Sequence, residues 1–309
     1  MELNQMKDFF QSEFTWGNIR VGGSHGEIPS VPIGSIFYMG HKLVKDPEAG
    51  DFDECEVARL IEKCDRLAET LGIHYMLDVI GNTPQALVKY IGFLKKITDA
   101  PLLINASMAD VRITALAELA QKGYTDLGYN SIGGFSTDEE IKVLSELPVE
   151  AAIIQAYAKG KKRDAAVGAL LGDKRCSSLL EKACHAGISK VLVDVPTLDI
   201  SSIGTVPHSI QAIREIISIP CGTASSNATY SSPLLRDRSK MTVHQFRAVD
   251  ASVNGYLAAQ GCSFTLMGPL AGAEWVFPAM AFANAYHLYG LRPDGILPVT
   301  QEHPLFRVI

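Results

Sequence analysis

Tyr75-Met76-Leu77-Asp78-Val79-Ile80-Gly81 reads as a short buried strand over residues 75–77 that ends in a carboxylate and runs into a turn. A helix follows, with Pro84 in its first turn. An ionisable group at the C-terminal end of a strand, just before a βα loop, sits where α/β barrels place their chemistry. The same pattern returns along the chain. Leu102-Leu103-Ile104 ends in Asn105, and Leu127-Gly128-Tyr129 ends in Asn130. Ile153-Ile154 ends in Gln155, and Val191-Leu192-Val193 ends in Asp194. Any one of these polar residues could be a strand-end cap or the N-cap of the next helix. Five of them delivered in register to one face argue for a site.

Working outward, strands and helices alternate. Residues 33–38 make a first barrel strand, and 55–71 have apolar residues at helical spacing (Val57, Leu60, Ile61, Cys64, Leu67, Ala68, Leu71) ended by Gly72. Helices are expected over 84–96, 109–122, 207–217, 242–259 and 273–289. Thr137-Asp138-Glu139-Glu140 opens another, with acid in its first turn to suit the helix dipole. The later strands fall at 151–155, 190–194, 219–222 and 263–268. Eight apolar strands separated by helices mean a parallel sheet, and eight is the number that closes a TIM (β/α)8 barrel. The first strand lacks the GxGxxG turn of a doubly wound sheet. Residues 1–32 read as an entry segment whose Phe14-to-Gly23 stretch forms a β-hairpin capping one end. No linker divides the chain, so 1–309 reads as a single domain.

The 309 residues are 47% hydrophobic, enough for one large core, and the net charge of −6 argues against nucleic acid as a partner. No apolar run approaches the roughly 18 residues of a membrane span. Met1-Glu2-Leu3-Asn4-Gln5 lacks the basic and apolar regions of a signal peptide. The six cysteines (Cys55, Cys64, Cys176, Cys184, Cys221, Cys262) show no CxxC and read as free thiols in a reducing cytoplasm. Cys55 and Cys64 fall in one expected helix, and Cys176 and Cys184 in another.

Asp78, Asn105, Asn130, Gln155 and Asp194 would ring the barrel mouth. Carboxylates and carboxamides there suit a polar heterocycle, since a carboxylate accepts two N–H donors and a carboxamide serves either donors or acceptors. The pattern differs from a metal site, because HxH and HExxH are absent and the eight His are dispersed. It differs from a hydrolase site, because no GxSxG elbow is present. After the seventh strand, the small, hydroxyl-rich stretch 223–232 puts Asn227 just above the barrel, where small residues allow close approach by a ligand. Lys159-Gly160-Lys161-Lys162-Arg163 is the densest basic run, either a solvated loop or a contact for carboxylate or phosphate. The 273–289 helix is apolar on most sides and is expected to pack on the barrel or in a dimer interface.

Val21-Gly22-Gly23, Ile33-Gly34-Ser35-Ile36-Phe37-Tyr38-Met39-Gly40-His41-Lys42 and Met76-Leu77-Asp78-Val79-Ile80-Gly81 resemble the MtrH subunit of tetrahydromethanopterin S-methyltransferase and its bacterial relatives. Ser226-Asn227 also resembles the Ser-Asn element of methyltetrahydrofolate:corrinoid methyltransferases and of the folate domain of cobalamin-dependent methionine synthase. The resemblance implies a pterin-binding TIM barrel that moves a methyl group between a corrinoid carried by a partner protein and a tetrahydropterin. By position it implies that Asp78, Asn105 and Asp194 hold the pterin's pyrimidine edge and that Asn227 bonds near N5; Asn130 and Gln155 join them by strand register alone. Asp78 and Asp194 are expected to stay ionised when pterin N–H groups bond them. In the archaeal pattern the third strand ends in Asp. Asn105 at that position agrees with the folate-using enzymes and favours tetrahydrofolate over tetrahydromethanopterin. The expected reaction turns methylcob(III)alamin and tetrahydrofolate into cob(I)alamin and 5-methyltetrahydrofolate, with Asn227 and Asp194 catalytic and no protein-bound metal. A homodimer and an open barrel face are expected too. The methyl source, whether a methylamine, a betaine or a methoxy compound, is not encoded here. The alternatives are a tetrahydromethanopterin-specific methyltransferase, a dihydropteroate-synthase-like pterin enzyme, and a non-catalytic member of a larger complex.

Overall fold

The computed structural model describes residues 3–23, 26–157, 165–172 and 178–309. The basic run 159–163 and Cys176 lie outside the described residues. Cys184 lies in the helix Leu179–His185, which Ser178 caps.

A hairpin of β1 (Glu13–Trp16) and β2 (Ile19–Gly22) comes first, then β3 (Val31–Ile36). Two short strands, β4 (Val44–Asp46) and β5 (Asp51–Phe52), pair with each other. The remaining strands are β6 (Met76–Ile80), β7 (Leu102–Asn105), β8 (Leu127–Ile132), β9 (Val149–Gln155), β10 (Val191–Asp194), β11 (Cys221–Thr223) and β12 (Phe264–Pro269). Eight of the twelve close a parallel barrel in the order β3-β6-β7-β8-β9-β10-β11-β12, with β12 returning to β3. The apolar runs follow from burial on both faces. Met76 and Leu103 point into the barrel, while Leu77, Val79, Leu102 and Ile104 face the surrounding helices.

The hairpin plugs one end. Phe14, Trp16, Ile19 and Val21 join Ile33, Met76, Leu103, Ile153, Leu192 and Phe264 in one buried cluster. Trp16 donates its indole N–H to the Asp126 carbonyl at 3.0 Å. A Cβ on Gly128 would lie 2.3 Å from the Trp16 ring, so only glycine fits on the strand beside it.

Helix ends follow ordinary chemistry. Helix Glu54–Leu71 starts where the Asp53 side chain accepts the Glu56 N–H, and it stops at Gly72 with φ 65°. Its buried residues, Val57, Ile61, Cys64, Ala68 and Leu71, are spaced to fall on one face. Three boundaries differ from those expected. The first barrel strand stops at Ile36 because Phe37 turns left-handed, with φ 63°. The fourth continues past Asn130 to Ile132, and the seventh begins at Cys221 rather than at 219. The 223–232 stretch is not a plain loop, since Ser226–Thr229 is a helical turn. The tail folds back, and Leu305 buries against Ala285 and Leu288 of the helix Ala273–Leu291.

Candidate active site

Inward-facing residues alternate along each strand, so the next inward position above the core layer is fixed. Above Met76 it is Asp78, above Leu103 Asn105, above Ile153 Gln155 and above Leu192 Asp194. Asn130 pairs with Asn105 across β7 and β8. The five strand-end residues therefore share the end of the barrel opposite the hairpin plug.

Asp78 is the hub of the ring. It is 3% exposed, and its carboxylate accepts Asn130 Nδ2 at 2.8 Å, Asn105 Nδ2 at 2.9 and 3.0 Å, and Ser35 Oγ at 3.1 Å. A carboxylate oxygen only accepts, so both amides must turn their NH2 groups toward it. Their Oδ1 atoms then remain as acceptors. Burial raises the Asp78 carboxyl above its ordinary range, against the pull of the Asn130, Asn105 and Ser35 donors.

Asp194 is 6% exposed and has a poorer environment, with the Ala224 N–H donating to Oδ1 at 3.0 Å. Burial pushes its carboxyl up to about 7. The expectation of a fixed ionised Asp194 therefore does not hold for the free protein, because desolvation outweighs its single donor. Gln155 pairs in register with Asp194 and is exposed at the rim. Asn227 stands apart from the strand-end ring. It is exposed on the turn Ser226–Thr229, and its backbone N–H bonds the Ala224 carbonyl at 3.1 Å, one residue-length from the Asp194 contact.

Buried side chains hold these groups from behind. Arg112 donates to the Ala106 carbonyl at 2.5 Å and to Glu140 at 3.2 Å, and Tyr129 donates to Glu140 at 2.6 Å. The network thus grips the residues next to Asn105 and Asn130. Ser35 escapes the sequence reading, although Val31, Ile33 and Ser35 alternate like the other inward positions. Asp250 and Asn254 escape it too. They lie four apart on the helix Val243–Ala259, both fully buried, and brace the Ser226–Thr229 turn.

Exposed apolar side chains surround the mouth. Met39, Met108, Phe135, Tyr157, Leu198, Ile200 and Leu234 come from six of the eight βα connections, with Phe135 97% exposed. Among the described residues, the αβ connections at the opposite end carry no exposed large hydrophobic side chain. Three or more His, Cys, Asp or Glu do not gather as a metal site among the described residues. No described helix is long and apolar enough to cross a membrane.

Comparison with solved structures reproduces the barrel. The 7,8-dihydropteroate synthase of Vibrio fischeri superposes with a TM-score of 0.61 at 11% identity, covering 89% of this chain and 97% of that one. A Yersinia pestis dihydropteroate synthase bound to a pterin–sulfa conjugate gives 0.59 at 13% identity, covering 89% and 98%. At these identities the likeness concerns the fold, the TIM barrel of dihydropteroate-synthase type. Sequence relatives are nearer. The MtrH subunit of tetrahydromethanopterin S-methyltransferase from Methanothermobacter thermautotrophicus is 30% identical over 94% of this chain and 95% of its own length. Its counterpart from Methanosarcina acetivorans is 30% identical over 96% and 98%. The family described as tetrahydromethanopterin S-methyltransferase MtrH subunit matches residues 11–299. With that match spanning nearly the whole barrel, the chain belongs to the MtrH family of methyltransferases.

Proposed function

We propose that this chain transfers a methyl group from a methylcorrinoid, carried by a partner protein, to N5 of tetrahydrofolate. The observation that carries the reading is the Asp78 hub. Ser35, Asn105 and Asn130 hold it from three sides and leave two amide oxygens at an open barrel mouth. Amide and carboxylate oxygens of this kind suit the N–H groups of an aminopyrimidine edge. Asp194 completes that edge, with Asn130 and Gln155 beside it. Asn227 meets the substrate near N5.

The chemistry asks little covalent work of the protein. N5 forms a bond to the methyl carbon as the cobalt–carbon bond breaks, and the bonding electron pair leaves with cobalt. The N5 proton is lost. Cob(I)alamin and 5-methyltetrahydrofolate result. Orientation is the larger contribution, worth up to about 7–11 kcal/mol by effective concentration. Asn227 does not titrate near neutral pH, so it acts through a hydrogen bond at N5. The apolar rim suits a carrier protein seated over the mouth.

Asn105 favours tetrahydrofolate as acceptor. The names of the MtrH relatives favour tetrahydromethanopterin as the second reading. The dihydropteroate-synthase alternative would need a diphosphate site, and its candidate run 159–163 lies outside the described residues. We further propose a homodimer through the helix Ala273–Leu291, whose Phe282, Tyr286 and Tyr289 are exposed, and a cytoplasmic setting that suits the free thiols.

An anaerobic absorbance assay with methylcobalamin and tetrahydrofolate tests the reaction. The expected result is loss of the methylcob(III)alamin band and growth of the cob(I)alamin band, dependent on tetrahydrofolate. Asn227→Ala should cut turnover with little change in tetrahydrofolate affinity, whereas Asp78→Ala should abolish binding. No calorimetric binding of tetrahydrofolate by the unaltered protein, alongside binding of tetrahydromethanopterin, would reverse the choice of acceptor.

A further inference from the structure

We infer that Asp250 is a positioning residue that sets Asn227 through the Thr229 hydroxyl. The inference rests on the reading of Asn227 given above. Asn227 sits on a turn of four residues, Ser226–Thr229, far too short to be stable on helix propensity alone. Something else must fix its orientation. Ser225 and Thr229 are four apart and fully buried, so they share one face of the turn. Asn227, two residues from each, lies on the opposite, exposed side.

Both hydroxyls are tied to the helix Val243–Ala259. Thr229 Oγ1 donates to Asp250 Oδ1 at 2.7 Å. Ser225 Oγ donates to Asn254 Oδ1 at 2.8 Å and to the Leu266 carbonyl at 3.2 Å. Asn254 in turn donates Nδ2 to the Asp250 carbonyl at 2.9 Å. The second Asp250 oxygen accepts the Trp275 indole N–H at 2.8 Å, from the first turns of the helix Ala273–Leu291. Each carboxylate oxygen therefore has its own donor, one from the catalytic turn and one from the neighbouring helix.

The other side of the turn is equally constrained. Gly268, at the end of β12, has φ 84°, and a Cβ there would lie 2.9 Å from Ser226 Cβ and 3.2 Å from the Tyr230 ring. The turn is thus held between a strand end and Asp250. A fully buried carboxylate is an expensive way to join helices that apolar contact alone would hold. Its two acceptor directions give what apolar packing lacks, a fixed angle for the turn.

A double-mutant cycle tests this, with kcat and tetrahydrofolate Kd measured for Asp250→Asn, Asn227→Ala and the pair. Asp250→Asn should lower kcat roughly ten- to a hundredfold, the scale of a small misplacement at a reacting centre. Its Kd should stay within about twofold of the unaltered protein's. In the Asn227→Ala background, Asp250→Asn should cost nothing further, because the group it positions is gone. Thr229→Val removes the connecting hydroxyl alone and should show the same pattern; it carries the cycle if Asp250→Asn fails to fold by near-UV circular dichroism. An equal loss of kcat in both backgrounds would overturn the inference, as would kcat and affinity falling together. A normal kcat for Asn227→Ala alone would instead sink the reading of Asn227 itself, and the route through it, so the two failures are told apart by one single mutant.

Discussion

Asp78 and Asp194 are both buried carboxyls on inward positions, yet their surroundings part them. Asp78 accepts from three side chains, while Asp194 accepts from the Ala224 backbone and is pushed by burial to about 7. An unfolded Asp titrates near 3.9. With the folded value raised, the contribution of Asp194 to stability is fully present below pH ~4 and is lost as pH rises through about 7. Asp194→Asn should therefore stabilise the free protein at pH 8, with the difference shrinking as pH falls toward 4, by thermal melts across that range. Ligand binding should run the other way. If pterin N–H groups bond the ionised carboxylate, binding below pH 7 must expel a proton, and Kd should weaken by about tenfold per pH unit in that range. Calorimetry in buffers of different ionisation enthalpy would count the proton. A Kd for tetrahydrofolate independent of pH between 5 and 8 would remove Asp194 from the pocket.

The hairpin β1–β2 decides whether the barrel has a floor. Trp16 fills the space that Gly128 leaves beside it, and its indole bonds a carbonyl on the far side. Trp16→Ala opens a cavity in a dry interior and should cost about 3–5 kcal/mol, read as a lower urea midpoint with an unchanged slope. Because the plug sits at the end away from the mouth, tetrahydrofolate affinity well below the melting temperature should not move. These elements also mark what a sequence can carry. Doubly buried strands read as apolar runs, and a polar residue ending each run is visible without coordinates; Asp78, Asn105 and Asn130 are legible for that reason. Ser35 is not, because serine at a strand end is unremarkable until Asp78 Oδ2 lies 3.1 Å away. Phe37 reads as strand because a phenylalanine with φ 63° is held there by its surroundings, stacked on Tyr90 at 4.0 Å, and not by its own preference. Asp250 and Asn254 look like ordinary polar positions of a surface helix, since pairing across 21 to 29 residues leaves no local signature.

At the scale of the whole molecule, apolar exposure is lopsided. The βα end carries Met39, Met108, Phe135, Tyr157, Leu198, Ile200 and Leu234 around a polar centre, and the αβ connections carry none among the described residues. A surface kept apolar only around a reaction site suits a partner that presents its reactive group there. Docking energy at such a face concentrates in a few large side chains. Phe135, almost wholly exposed, is the clearest candidate. Phe135→Asp should leave the fold and the tetrahydrofolate Kd unchanged, since it removes no buried contact. It should also leave turnover with free methylcobalamin unchanged. With the methylated carrier protein as donor, KM should rise by about tenfold or more, the size of a hot-spot loss. Tyr286→Asp, in the exposed aromatic strip of the helix Ala273–Leu291, is the matched control. It should shift the oligomeric state in sedimentation while sparing KM for the carrier. The two substitutions assign the two apolar faces to different partners, and a carrier KM that moves with Tyr286 but not with Phe135 would exchange them.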